Sequence, residues 1–109
     1  MSTLDLASTE VGGRVVISPT GDVGASAALA LADQLRGAQS QGVPVVLDLR
    51  VVASLDGLVV WVIAEADRRA RSRGARLRLI PGVARVQRTL RSAGLEGRLL
   101  IVAPEMRLS

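Results

Sequence analysis

The chain has 109 residues, enough for one domain with a single core, and 49% hydrophobic with 22% charged residues is typical of a folded globular protein. Cysteine, histidine, lysine and tyrosine are absent, which excludes disulfides and most acid–base or nucleophilic catalysis, so we do not expect an enzyme. The net charge is +4, and all basic residues are arginines, with nine of them and no acid from Arg68 to Arg91.

No apolar stretch reaches the roughly 18 residues that a membrane-spanning helix needs. The opening segment MSTLDLASTE is acidic and lacks the basic and apolar regions of a signal peptide. We therefore expect a cytoplasmic protein without membrane contact. Because histidine and cysteine are absent, no metal site, cofactor or catalytic residue is predicted.

The first half of the chain alternates strand-like and helix-like segments. Residues 3–9 alternate apolar and polar side chains and predict an edge strand, which a Gly-Gly turn separates from a β-branched strand over 14–19. The Ala- and Leu-rich segment 25–38 has helical spacing. Glycine and proline then precede an apolar strand over 45–49.

The segment 58–73 begins with a valine-rich stretch that suits a strand, but its continuation favours a helix. Glu65–Arg69 and Asp67–Arg71 are predicted i,i+4 ion pairs. One apolar stripe at helical spacing is predicted to face the core, and it consists of Val59, Val62, Ile63, Ala66 and Ala70.

The remaining segments continue the alternation, with a strand over 75–80, a helix over 83–94 and a strand over 98–102. The inward positions of that helix are predicted to be Val83, Val86 or Gln87, and Leu90. The resulting order, β-β-α-β-α-β-α-β, predicts an α/β fold in which helices cover a parallel or mixed sheet.

This order, together with several short motifs, resembles the STAS domain, the fold of bacterial anti-sigma factor antagonists, over about residues 3–102. SPTGDVG (18–24) is similar to the family's turn after the second strand, with Asp22 and Gly24 in it. VPVVLDLRVVASLDG (43–57) is similar to the strand that ends in the family's signature Asp. The resemblance implies a single domain over 1–109 with a mixed sheet of four to five strands.

In the STAS family the signature reads Asp-Ser-Ser-Gly-Leu, and a partner anti-sigma kinase phosphorylates the first Ser. Asp56 matches the signature Asp, but Gly57 stands in the place of that Ser. The resemblance therefore implies a protein-binding role, whereas Gly57 removes the usual phosphorylation switch. Ser54 is the nearest alternative hydroxyl. From the residues alone, Asp56 is predicted to cap the helix and Gly57 to permit a tight turn into it.

Trp61 is the only aromatic residue of the chain. On a helical wheel it lies opposite the core stripe, with Leu58 on the same side. An exposed Trp beside an exposed Leu predicts an interface anchor, because Trp is enriched among the residues that dominate binding energies. A second copy of the chain is one possible occupant.

The resemblance implies a non-enzymatic regulator of transcription that docks on a serine-kinase-type anti-sigma factor or another STAS protein. The predicted partner-binding residues are Asp22, Gly24, Asp56, Gly57, Leu58 and Trp61. The alternative is an electrostatic nucleic-acid-binding protein that uses the arginines from Arg68 to Arg91. These arginines spread over two helices and a strand with no interleaved aromatic residue, so a solvated face or an acidic protein partner is favoured over nucleic acid.

Overall fold

The computed structural model of the chain describes residues 6–95 and 98–102. Over these residues the chain forms seven strands, three helices and one 3₁₀ turn, Ala25–Ala27, which precedes the first helix. In chain order the elements are β1 (Leu6–Val11), β2 (Arg14–Pro19), β3 (Gly21–Val23), α1 (Ala28–Gln39), β4 (Val45–Asp48), β5 (Val52–Leu55), α2 (Gly57–Arg71), β6 (Arg78–Ile80), α3 (Ala84–Ser92) and β7 (Leu100–Ile101). Within the same two ranges, no helix is long and apolar enough to cross a membrane.

Among the described strands, five form the main sheet in the order β1-β2-β4-β6-β7. β1 runs antiparallel to β2, whereas the other neighbours are parallel and are joined through α1, α2 and α3. Parallel neighbours require such crossovers, and the helices cover the sheet. The structure therefore confirms the predicted α/β fold with a mixed sheet.

The β1–β2 hairpin turns at Gly12 and Gly13, whose φ angles are 59° and 77°. Positive φ at both positions of a two-residue loop matches the twist of the flanking strands, and glycine adopts it without strain. The strand predicted over 3–9 is present from Leu6 and extends beyond the predicted C-terminal end. Residues 3–5 lie outside the described residues, and the strand continues to Val11.

The main core lies between the helices and one face of the sheet. Every residue of β4 is buried because this strand is central in the sheet. On α3, Val86 and Leu90 are buried, but Val83 is 50% exposed because it precedes the first helical turn, which corrects the prediction that it faces inward. The predicted core stripe of α2 is confirmed in full, since its buried residues include Val59, Val62, Ile63, Ala66 and Ala70.

Two short strands that the sequence did not predict form a second, parallel pair. Asp22 of β3 lies opposite Ser54 of β5, and Val23 lies opposite Leu55. The two strands follow β2 and β4, which are themselves parallel neighbours in the main sheet. The predicted element order therefore lacks one strand before α1 and one before α2. Strands of three and four residues that contain glycine, aspartate and serine carry no distinctive alternation.

α2 carries two acid–base pairs within its own length. The predicted Asp67–Arg71 pair is present, with 3.2 Å between Oδ2 and Nε. Glu65 pairs with Arg68 and not with Arg69, which turns toward α1 instead. The predicted Glu65–Arg69 pair is thus wrong. On a helix, Glu65 can reach a partner three residues away, Arg68, as easily as one four residues away, Arg69. Because Arg69 is bound to Gln39 of α1, Glu65 pairs with Arg68.

An ion pair holds the chain where it leaves β4. Asp48 is buried, and Arg50 donates to its carboxylate through Nε at 3.0 Å, Nη2 at 2.7 Å and the backbone N–H at 3.0 Å. Burial alone raises the pKa of Asp48, but the hydrogen bonds from Arg50 and its positive charge together outweigh burial and hold that pKa below the ordinary 3.8.

We expect acid to weaken the fold through Asp48. Because its pKa is lowered on folding, the carboxylate stabilises the fold fully above the ordinary value of 3.8, and this contribution is lost as the pH falls through the lowered pKa. Asp48→Asn should therefore lower the free energy of unfolding at about pH 6 and flatten its decline between about pH 5 and 2. Urea unfolding across this range measures both effects. The exposed Asp33→Asn is the control, and equal pH slopes for the two variants would contradict the prediction.

Candidate functional site

α2 begins at Asp56, whose side chain caps the helix. The Asp56 backbone is extended (φ −76°, ψ 153°), and its Oδ1 accepts a hydrogen bond from the Leu58 N–H at 2.8 Å. The Asp56 carbonyl accepts from the Val60 N–H at 3.0 Å. The predicted cap is confirmed, because the carboxylate satisfies a donor that the first helical turn leaves free.

Gly57 occupies the first helical position. Its φ angle is not in the left-handed region, and a Cβ placed on it would have no heavy atom within 4 Å. Gly57 was predicted to permit a tight turn into the helix, but the backbone here does not use the conformational freedom of glycine. The Cβ of a serine would therefore meet no neighbouring atom at this position.

Asp22 and Gly24 lie beside the start of α2. The Asp22 Oδ1 accepts a hydrogen bond from the Ser54 hydroxyl at 2.6 Å. The Asp56 N–H donates to the Val23 carbonyl at 3.0 Å, which ties the end of β3 to the residue that caps the helix. Gly24 comes directly after this bond and precedes the 3₁₀ turn. The β3–β5 pair thus brings the two distant sequence motifs together.

Leu58 and Trp61 are the exposed apolar residues of α2. Leu58 is 50% exposed and Trp61 is 60% exposed, and they are neighbours because they lie three residues apart on one side of the helix. The exposure predicted for both is confirmed. We refer to the region made of Asp22, Gly24, Asp56, Gly57, Leu58 and Trp61 as the α2 surface.

The α2 surface is acidic as well as apolar. Within the described residues, neither Asp22 nor Asp56 forms an ion pair with an arginine. Ser54 is partly buried and its hydroxyl is already bound to Asp22. A phosphate on Ser54 would place about −1.5 to −2 charges against that carboxylate. The surroundings of Ser54 therefore oppose its phosphorylation.

A second concave region lies near the C-terminal end of α2, and the sequence did not predict it. Its volume is about 540 Å³, and it lies between the end of α2, the connection from α1 to β4 and the start of β6. We call it the basic groove, because its charged lining consists of Arg69, Arg73, Arg76 and Arg78. Apolar side chains, among them Val43, Leu77 and Leu100, form much of the remaining wall.

The nine arginines from Arg68 to Arg91 do not form one continuous face. Four of them line the basic groove, while Arg68 and Arg71 pair with acids of α2. Arg85, Arg88 and Arg91 belong to α3. The prediction that the run spreads over two helices and a strand is confirmed, but it did not foresee that four members converge on one concavity.

One protein family matches nearly all of the described chain. The family model described as "Mlab, STAS domain" matches residues 6–103. No curated protein matches the chain.

Solved structures with a similar fold include an anti-sigma factor antagonist from Mycobacterium paratuberculosis, with 17% identity and a TM-score of 0.82 over 95% of this chain and 88% of that one. The unphosphorylated form of the anti-sigma factor antagonist SpoIIAA has 16% identity and a TM-score of 0.70 over 92% and 87% of the two chains. The phosphorylated form of the Bacillus cell fate determinant SpoIIAA has 16% identity and a TM-score of 0.69 over 94% of each. At these identities, the similarity to the solved structures concerns the fold alone. The family model, however, matches residues 6–103, and the chain therefore belongs to the STAS domain family.

Proposed function

We propose that this protein is a cytoplasmic, non-enzymatic interaction module that regulates transcription by docking, through the α2 surface, on a serine-kinase-type anti-sigma factor or another STAS protein. The observation that carries the proposal is the exposed pair Leu58 and Trp61 beside the capping Asp56. Membership of the STAS family and the similarity in fold to anti-sigma factor antagonists support it.

The proposed mechanism is competitive docking. Leu58 and Trp61 supply the apolar contact that is removed from water, and the Asp22 and Asp56 carboxylates complement basic side chains of the partner. Occupation of the partner surface then releases the protein that this surface held. The same apolar pair also allows a homodimer, in which each Trp61 is covered by a second copy.

The proposed docking is insensitive to phosphorylation at the signature position. A phosphate there would add about −1.5 to −2 charges next to Asp56 and Asp22 and would repel a partner that is complementary to them. A related fold is known in a phosphorylated and an unphosphorylated form, which supports such a switch in the relative. Gly57 has no hydroxyl to accept the phosphate, so the docking state of this chain is constitutive.

Affinity capture with the immobilised protein from a lysate of its source organism tests the proposal. We expect mass spectrometry to identify a kinase-type anti-sigma factor or another STAS protein in the retained fraction. The variant Leu58→Ala/Trp61→Ala should lose it, because both exposed anchors are truncated. Retention of neither class by the wild type, or equal retention by the double variant, would show that the proposal is wrong.

Restoring the missing hydroxyl tests the loss of the switch. Gly57→Ser should be phosphorylated by the captured kinase, because nothing obstructs a side chain at this position, and its affinity for that kinase should then fall by at least about 10-fold. The wild type should incorporate no phosphate under the same conditions.

Gly57→Ala is the matched control, since it adds the same Cβ without the hydroxyl. It should bind like the wild type and remain unlabelled. Labelling of the wild type or of Gly57→Ala would place the modification elsewhere, and an unlabelled Gly57→Ser would show that the site is not a kinase substrate.

A further inference from the structure

Gln39 holds two arginines of the basic groove, one through its side-chain amide and one through its backbone carbonyl. Arg69 Nε donates to Gln39 Oε1 at 3.2 Å, and Arg73 Nη1 donates to the Gln39 carbonyl at 3.3 Å. The Gln39 amide is itself anchored, because its Nε2 donates to the Ala66 carbonyl at 2.8 Å. Gln39 thus orients two guanidinium groups without neutralising either charge.

The positive charge of the groove is not balanced by nearby carboxylates. Asp67 contacts both Arg71, at 3.2 Å, and Arg76, at 3.4 Å, so one negative charge serves two arginines. Within residues 6–95 and 98–102, neither Arg69, Arg73 nor Arg78 forms an ion pair with a carboxylate. The walls of the groove therefore carry an excess of positive charge.

Burial and the excess of positive charge both lower the pKa of Arg69. Burial is the main cause that lowers its pKa, and the positive charge of Arg36 acts in the same direction. Glu65 opposes them, while Arg73 and Arg68 lower the pKa further. An anion in the groove would relieve the repulsion between these like charges.

The stabilising effect of a cation at the C-terminal end of α2 explains the position of only one of the four groove arginines. Arg69 lies in the last turn of α2, where a cation complements the helix macrodipole. Arg73 lies beyond the residue that ends the helix, and Arg76 and Arg78 precede or begin β6. The macrodipole effect falls off within the last turn, so it gives no reason for these three side chains to line the same concavity.

We propose that the basic groove binds a small phosphate-bearing molecule of about nucleotide size. Its volume of about 540 Å³ lies within the range of ligand sites, roughly 300–1,000 Å³. Guanidinium groups present the fork of donors that matches phosphate oxygens, and Val43 and Leu100 offer apolar area to the uncharged part of the ligand.

The inference is independent of the proposed docking on a partner protein. Along α2, Leu58 and Arg69 are 11 residues apart, which corresponds to roughly 16 Å at about 1.5 Å per residue, and Arg73 lies beyond the C-terminal end of the helix. The groove and the α2 surface therefore lie at opposite ends of one helix, and Trp61→Ala should leave ligand binding unchanged.

Calorimetric titration of the full chain with ATP and with inorganic pyrophosphate tests the proposal. We expect saturable binding of ATP with a dissociation constant below about 1 mM, and weaker binding of pyrophosphate because it lacks the apolar part. Arg73→Gln should weaken ATP binding by at least about 10-fold, because it removes an exposed charged donor of the groove that bonds to the Gln39 carbonyl. The control Arg88→Gln makes the same change of charge on α3, outside the groove, and should alter binding by less than about 2-fold.

Three outcomes would overturn the proposal. The first is the absence of saturable binding of both probes. The second is an equal effect of Arg73→Gln and Arg88→Gln, which would indicate attraction by net charge alone. The third is tighter binding of a single-stranded oligonucleotide with a steep decrease in affinity as salt is raised, which would assign the arginines to nucleic acid.

Discussion

Trp61→Ala should weaken binding to the partner retained by the wild type by about 100-fold, which corresponds to roughly 3 kcal/mol. A Trp side chain buries about 150–250 Å² when fully covered, and 60% of Trp61 is still exposed in the free protein. Covering that remainder is worth roughly 2–4 kcal/mol at about 25 cal/mol per Å². Because the larger part of the side chain is exposed, the same substitution should lower the free energy of unfolding by less than it lowers the binding free energy.

The binding measurement needs an apolar control of similar exposure. Ile101 is 41% exposed but belongs to β7, the edge strand that follows β6 in the main sheet. Ile101→Ala should retain wild-type affinity, while Trp61→Phe should recover part of it because an aromatic ring remains. If Trp61→Ala binds within about 3-fold of the wild type, the ring is not an anchor and the docking surface lies elsewhere.

Asp67→Ala should lower the free energy of unfolding by about 3 kcal/mol. The Asp67 side chain is 1% exposed, and its Oδ1 accepts from the Leu77 N–H at 3.2 Å and from Arg76 Nε at 3.4 Å. Alanine would leave a buried backbone donor without an acceptor, and Arg71 and Arg76 would both lose their counter-charge. Urea unfolding monitored by far-ultraviolet circular dichroism measures the loss.

Two further variants distinguish the loss of the buried hydrogen bond of Asp67 from the loss of a negative charge on α2. Asp67→Asn keeps an oxygen that can accept from Leu77, so it should lose less stability than Asp67→Ala. Glu65→Ala removes a carboxylate two residues away whose partner, Arg68, is exposed, and it should leave the unfolding midpoint unchanged. Equal midpoints for Asp67→Ala and Glu65→Ala would contradict a structural role for the buried carboxylate.

The elements that the sequence predicts well are those with long apolar periodicity. The core stripe of α2 follows from spacing, and the capping of α2 by Asp56 follows from residue type at a strand-to-helix junction. β3 and β5 were missed because a strand of three or four residues is stabilised by its partner and not by its own pattern. Their pairing depends on β2 and β4 being neighbours, which is a property of the whole fold.

The predicted site residues came from a family motif and from the exposure expected of Trp61, and the β3–β5 pair brings the segment with Asp22 and Gly24 beside the start of α2. The basic groove was not predicted, although its arginines lie close together in the sequence, because they span the end of a helix, a connection and the start of a strand and were interpreted as a solvated face. The parallel pairing of β4 with β6 brings the connection from α1 to β4 beside Arg78 and the end of α2. The contact between Arg69 and Gln39 joins residues 30 positions apart, and no local spacing rule indicates it.

The β3–β5 pair affects how much entropy the protein loses when a partner binds. The Gly21 N–H bonds to Val51 and the Asp56 N–H bonds to Val23, so the two loops that carry the acidic groups are connected through main-chain atoms at both ends of the pair. Opening either segment therefore breaks main-chain hydrogen bonds to the other. A partner therefore meets a preassembled surface, and the ordering entropy that flexible loops would lose on association has already been lost during folding.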